Sequence, residues 1–150
     1  MDKSIGPNKQ TADLIGIWDT GASGTMITQR VVDELEIKPI GRTEVHHAQG
    51  SDESPVFLVD LQLPMKVVIQ GLTVTLGKLP PGVDVLIGMD VIGTGDFAVT
   101  NVGGMTTMSF RVPSQVKIDY VAESHAINQV QAKAAQGNRA QRRANKRGSH

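Results

Sequence analysis

Between residues 56 and 63 apolar and polar positions alternate. Phe57, Val59, Leu61 and Leu63 fall on one face, and Asp60 and Gln62 on the other. A period of two marks a strand with one buried face. Val67, Val68 and Ile69 continue as a further strand, and Gly71 marks a turn or bulge before Leu72-Thr73-Val74-Thr75-Leu76. Other runs are apolar without clear alternation. Residues 12–18 (Ala-Asp-Leu-Ile-Gly-Ile-Trp) predict a strand that ends at Asp19, and residues 83–87 (Val-Asp-Val-Leu-Ile) predict one closed by Gly88. Residues 96–101 and 105–112 predict a hairpin around Gly103-Gly104, a pair free to take the left-handed turn that short hairpins favour. Helical spacing occurs at 28–37, where Val31, Val32, Leu35 and Ile37 recur and Thr28 stands as N-cap. A short helical turn is expected after Gly88, with Asp90 in its first turn and Gly93 or Gly95 ending it. The body therefore reads as mostly β, with one or two short helices.

After Pro113 the pattern stops. Residues 122–147 are rich in Ala, Gln, Asn and Arg, which fits a frayed helix or a disordered segment. The expected organisation is a domain over residues 1–112 and a basic tail over 113–150. Charge follows the same division. The chain as a whole is neutral, but residues 117–150 hold seven Lys or Arg against two Asp or Glu, a net of about +5, and residues 1–116 hold the balancing excess of acid. The run Arg139-Ala140-Gln141-Arg142-Arg143-Ala144-Asn145-Lys146-Arg147 reads as basic on all sides of a helix: a solvated tail, or a contact for nucleic acid or an acidic partner.

Composition excludes several classes. The chain has no cysteine, so a disulfide scaffold, thiol catalysis and Cys-ligated metals are ruled out. No stretch approaches the roughly 18 apolar residues of a membrane span. A cytoplasmic protein without a membrane partner is expected. The five aromatics (Trp18, Phe57, Phe97, Phe110 and Tyr120) are too few for a base-stacking surface on the body. No phosphate-binding or dinucleotide fingerprint appears, and neither cofactor nor metal is expected.

Candidate chemistry concentrates at Asp19-Thr20-Gly21-Ala22-Ser23, directly after an apolar strand. A carboxylate where a buried strand breaks at glycine is rigidly held and partly desolvated. Thr20 offers a hydroxyl to lock the loop, and Gly21 lets backbone approach closely. An Asp in such a place can also simply end the strand and cap the turn. A second signal lies about 65 residues on, at Asp84-Val85-Leu86-Ile87-Gly88-Met89-Asp90: another apolar strand that ends in glycine and a short helical turn.

The two motifs, in this order and spacing, resemble the aspartic proteases of the single-domain, retroviral-like (retropepsin) branch. The resemblance covers roughly residues 3–112 and implies that branch's closed, barrel-like acid-protease fold. It casts Asp19 as catalytic, with Thr20, Gly21, Ala22 and Ser23 supporting its loop and Leu86, Ile87 and Gly88 forming a subsite wall. Residues 42–63 stand where the family carries its flap, with arms at 45–48 and 55–59 and a tip at Gln49-Gly50-Ser51-Asp52-Glu53-Ser54; Ala48 through Glu53 are the flap candidates. This tip is polar and acidic, where retroviral tips are apolar and glycine-rich. Ser23 and Met89 stand where retroviral enzymes pair a carboxylate with an arginine, which is closer to the bacterial and retrotransposon members. Peptide hydrolysis by carboxylates needs two of them sharing a proton. One Asp-Thr-Gly per chain then implies a homodimer, with one Asp19 from each chain acting on a protein or peptide substrate. The alternative is a catalytically weak dimerisation or binding module of the same fold, with the basic tail making the contact.

Weaker constellations carry less. His46 and His47 are adjacent on an expected strand, so they point to opposite faces and do not chelate together. Gly21-Ala22-Ser23-Gly24-Thr25 resembles a nucleophile elbow, but Thr25 replaces its closing glycine. Met65, Met89, Met105 and Met108 read as core or strand filler.

Overall fold

A computed structural model describes residues 11–47 and 50–147. The mostly β, retropepsin-like expectation holds. Six strands, β1 (Gly16–Trp18), β2 (Met26–Ile27), β3 (Gly41–His47), β4 (Gly50–Leu63), β5 (Val67–Leu76) and β6 (Val85–Ile87), form one sheet in the order β1-β6-β2-β5-β4-β3, curled as a half barrel. A separate ribbon pairs β7 (Asp96–Val102) with β8 (Met105–Arg111). The short helices α1 (Gln29–Glu34) and α2 (Met89–Ile92) follow β2 and β6, and a long helix, α3 (Tyr120–Arg147), ends the described chain.

Both apolar runs are shorter strands than expected. Residues 12–15 are not strand, because the carboxylate of Asp84 takes the Ile15 amide at 2.9 Å and Ile15 is left 63% exposed. Residues 83–84 lie outside β6, and the Asp84 amide donates to the Ile15 carbonyl at 2.8 Å. The long hairpin β4–β5 follows its hydrophobic pattern more closely. Phe57 and Leu63 are buried, Val59 and Leu61 pack on the same core, and Asp60 and Gln62 are exposed. Gly71 proves to be a bulge within β5. The register slips between Val59 and Leu61, Gly71 takes φ +64°, and its amide donates to the Asp60 carboxylate at 2.9 Å.

α1 ends three residues before the periodicity does. Leu35 caps it and Glu36 turns to φ +47°, a left-handed position that swings Ile37 back against the core without continuing the helix. Thr28 occupies the N-cap position, but its side chain makes no capping bond, and its hydroxyl oxygen is buried without a partner among the described residues. Val31, Val32 and Val91 from the two short helices join Ile27, Phe57, Leu63, Leu72, Val74, Val85 and Ile87 in one core. Each large apolar side chain so buried contributes about 1.5–3 kcal/mol.

The ribbon β7–β8 turns at Gly103 and Gly104, both left-handed as the sequence predicts. Phe97 and Phe110, paired across it, hold Trp18 between them at ring-centre distances of 5.5 and 5.0 Å. Of the core and strand places expected for the methionines, Met105 and Met108 take the strand, in β8, and with Met89 they are exposed and not in the core. Each occupies a surface position of a short helix or of the ribbon, where no apolar layer covers it. The side chain of Met65 lies outside the described residues.

The chain divides into two compact units, at Gln115 and Val116. The first reaches Gln115 because the Asp96 carboxylate binds Arg111, the Ser114 hydroxyl and, at 2.9 Å, the Gln115 amide. The second carries α3. Of the two states offered for the tail, the helix is the one formed. Among the described residues no helix is long and apolar enough to cross a membrane.

Candidate active site

β6 runs parallel to β1 and antiparallel to β2, and lies between them. The loop that joins β1 to β2, residues 19–25, must therefore straddle the end of β6. Everything distinctive about Asp19 follows from this arrangement.

The Asp19 amide donates to the Ile87 carbonyl at 2.9 Å, carrying the β1–β6 pairing one residue past the strand. The chain then turns, with the Ala22 amide reaching back to the Asp19 carbonyl at 3.3 Å. The Gly21 amide donates to Oδ1 of Asp19 at 2.8 Å. A Cβ on Gly21 would lie 3.2 Å from that oxygen, so the bare backbone is what lets the amide close in. The turn-capping role of Asp19 is thus real, and it engages Oδ1 alone among the described residues. Asp19 is half-buried, Ala22 likewise, and Thr20 and Ser23 are exposed.

Gly88 is the floor of this loop. A Cβ there would meet the backbone carbon and oxygen of Gly24 at 2.6 Å and the Ala22 carbonyl at 3.1 Å. Two hydrogen bonds from the first turn of α2 support the loop from below: Met89 amide to Ala22 carbonyl at 2.8 Å, and Asp90 amide to Ser23 carbonyl at 3.2 Å. Ile87 is buried beside Gly88, and Leu86 is half-buried.

Thr25 and Asp90 clamp the loop to the floor, and sequence reasoning did not assign this role to either. The Thr25 hydroxyl donates to Oδ1 of Asp90 at 2.7 Å and accepts from the Gly88 amide at 3.1 Å. The Thr25 amide donates to the other Asp90 oxygen at 2.9 Å, and the Val91 amide to Oδ1 at 2.9 Å. Thr25 is 1% exposed. The residue that spoils a nucleophile elbow is therefore the one that ties the two motifs together.

A second brace stands at the other end of β6. Asp84 accepts from Arg30 Nε at 2.9 Å and from Arg30 Nη2 at 2.7 Å on one oxygen, and from the Ile15 amide on the other. Arg30 also reaches Glu34 one turn on. The Arg30 hydrogen bond, and after it the Ile15 amide, hold the Asp84 carboxyl below its ordinary range against the opposing effect of burial, and the same pair raises Arg30. Asp84 thus joins the entry to β1, α1 and β6. The sequence signal for it was an acidic residue heading an apolar strand.

The flap candidates divide differently from expectation. Pairing of β3 with β4 continues to His47 opposite Gly50, so Ser51, Asp52, Glu53 and Ser54 lie in the second arm and not in a tip. Ala48 and Gln49, between the strands, lie outside the described residues. The arms can pair this far because their polar groups are mutually served. Glu44 and Glu53 stand directly opposite, an unfavourable register, and Arg42 binds Glu53 at 3.1 Å while the Ser51 hydroxyl donates to Glu44. Ser54 is buried and donates to the Leu76 carbonyl at 2.7 Å, which fixes the base of the hairpin to β5.

Among the described residues no group of three or more His, Asp or Glu is placed to hold a metal ion. Searches of curated proteins and of solved structures returned no match. A family model described as aspartyl protease matches residues 9–91, more than half of the chain. That span begins ahead of the strand that carries Asp19 and ends in the helical turn that supports its loop, and the chain belongs accordingly to the aspartyl protease family, as a retropepsin-type member.

Proposed function

We propose that the protein is an aspartic endopeptidase, active as a homodimer, in which the Asp19 carboxylates of two chains share one water. The observation that carries this reading is the seating of a single Asp-Thr-Gly turn on the glycine end of β6, which offers one Asp19 carboxylate per chain within the span that matches the family. Two carboxylates held close cannot both be ionised, so the pair keeps one proton. The ionised Asp19 takes a proton from the water as the water oxygen bonds to the scissile carbonyl carbon. The protonated Asp19 of the partner gives its proton to the carbonyl oxygen. As the tetrahedral diol collapses, its C–N bond breaks, the departing amine takes the proton now held by the first Asp19, and a diol hydroxyl returns one to the partner's Asp19. Thr20 and Gly21 brace the paired loops and receive the substrate backbone. Leu86, Ile87 and Gly88 line a subsite, and the β3–β4 hairpin covers the bound peptide.

The polar arms of that hairpin favour a second reading, a dimeric binding module with little turnover. Hydrolysis of a peptide library separates the two.

Mixing chains tests the shared site. Asp19→Asn keeps the side-chain size and removes the charge, so the variant should fold and pair while losing nearly all activity. At equal concentrations with free re-pairing, about a quarter of dimers would be native on both sides. Activity should fall well below half and drop further with excess variant. Activity that only tracks the fraction of native chain would mean that each chain has a complete site, and the proposal would fail.

A further inference from the structure

α3 belongs to the unit that begins at Val116, and its residues 120–139 are exposed throughout. Its 28 residues span about 42 Å at 1.5 Å per residue. Its chemistry changes along that length. Tyr120, Val121, Ile127 and Val130 lie in its first part; from Gln131 to Arg147 no apolar side chain is larger than alanine. No acidic residue follows Glu123 in the helix, whereas Lys133, Arg139, Arg142, Arg143, Lys146 and Arg147 do.

The sequence reading spread these charges around the helix, and the helical register corrects it. Positions 139, 142, 143 and 146 are related as i, i+3, i+4 and i+7, which places them on one side, with position 147 at its edge. Positions 140, 141, 144 and 145, occupied by Ala, Gln, Ala and Asn, fall on the other side of the register. Three Arg and one Lys thus recur along about 10 Å of one helical face with no acid among them. Like charges at these spacings repel by a few tenths of a kcal/mol per pair. A helix that concentrates them is complementary to a polyanion.

We propose that this face of α3 binds nucleic acid through its phosphate backbone. Arginine forks suit phosphate oxygens, and each contact releases a condensed counterion. No Phe, Tyr or Trp follows Tyr120, so the basic row carries no such base-stacking platform, and the contact reads charge and not sequence. An anionic membrane is the weaker match. Binding at a lipid surface scales with inserted apolar area, and opposite the basic row there are only alanines and amides. The proposal is independent of the peptidase reading.

The test uses the full chain and three labelled probes: a DNA duplex and a single-stranded RNA of mixed sequence, and vesicles rich in phosphatidylserine. Fluorescence anisotropy should show binding to nucleic acid of either kind. With about four phosphate contacts, raising salt from about 50 to 200 mM should weaken the duplex complex about a hundredfold. Replacing Arg139, Arg142, Arg143 and Lys146 together by Gln should cost at least about tenfold at the lower salt and flatten the salt dependence. Circular dichroism checks that the variant stays helical, and Arg139→Lys with Arg142→Lys and Arg143→Lys should keep both helix and binding. Asp19→Asn should bind as the native chain does. No salt-dependent binding, binding indifferent to the Gln replacements, or binding to vesicles alone would overturn the proposal.

Discussion

Gly88 has no room for a side chain, and the atoms in the way are backbone. A methyl group there would sit 2.6 Å from the carbonyl of Gly24, which cannot rotate aside as a side chain can. Gly88→Ala is expected to cost at least the roughly 1–3 kcal/mol of an overpacked core and to tilt the Asp19 loop. A urea midpoint equal to that of the native protein would show that the loop is free to move. Thr25 tests the clamp from the other side. Thr25→Val keeps the shape, but leaves the Gly88 amide and an Asp90 oxygen without the hydroxyl. The buried Gly88 amide, left without its acceptor, costs about 1–3 kcal/mol, while that Asp90 oxygen keeps the Val91 amide; Thr25→Ser retains the bonds and most of the stability. A Val variant as stable as the Ser variant in urea would refute the clamp. At this scale Asp19, Thr20 and Gly21 were legible because they are contiguous and follow an apolar run. Thr25 and Asp90 were not, because their bond joins positions 65 apart and leaves no local period to read.

The elements show the same division. Strand alternation in β4 and the glycine pair of the β7–β8 turn are local signals, and both were readable. The length of β1 was misjudged because Asp84 takes the Ile15 amide out of the ladder, a tertiary event. The β3–β4 tip was misplaced for a related reason: polar residues read as a loop while cross-strand partners hold them in a strand. Arg30 and Asp84 give the element scale its own test. The folded state holds Asp84 below its ordinary value of 3.8, so it binds fewer protons there than the unfolded chain does. That contribution to stability is complete above the ordinary value and is lost as pH falls through the lower folded one. Arg30→Gln should therefore destabilise the protein at neutral pH and make progressively less difference below about pH 4. Urea unfolding of both proteins across pH 3 to 7 measures this. A gap that stays constant into acid would show that Asp84 does not titrate against Arg30.

For the whole molecule, the proposed dimer sets two expectations. The solution mass should be twice the 16.0 kDa of one chain, and Asp19→Asn should not lower it. Hydrolysis should follow a bell in pH on the acidic to weakly acidic side, since it needs one carboxylate charged and one not. A rate still climbing above about pH 9 would point to other chemistry. The division at Gln115 adds a third. A chain ending there keeps the whole core, and its thermal midpoint should lie close to that of the full protein. A large fall would mean that the second unit contributes to the stability of the first.

The position of β6 between β1 and β2 also orders events in time. β1 and β2 are made early in synthesis, but the strand that must separate them comes some 60 residues later. Contacts so distant in sequence form slowly, and during synthesis they cannot form until the later partner has emerged. Until then Asp19 has neither the Ile87 carbonyl on which its amide rests nor the glycine floor beneath its loop. A nascent chain that stops before residue 88 carries Asp-Thr-Gly and yet no seat for it. Such a fragment should show no protection of the Asp19 and Thr25 amides in hydrogen exchange, and adding a peptide covering residues 83–93 should restore protection at both together.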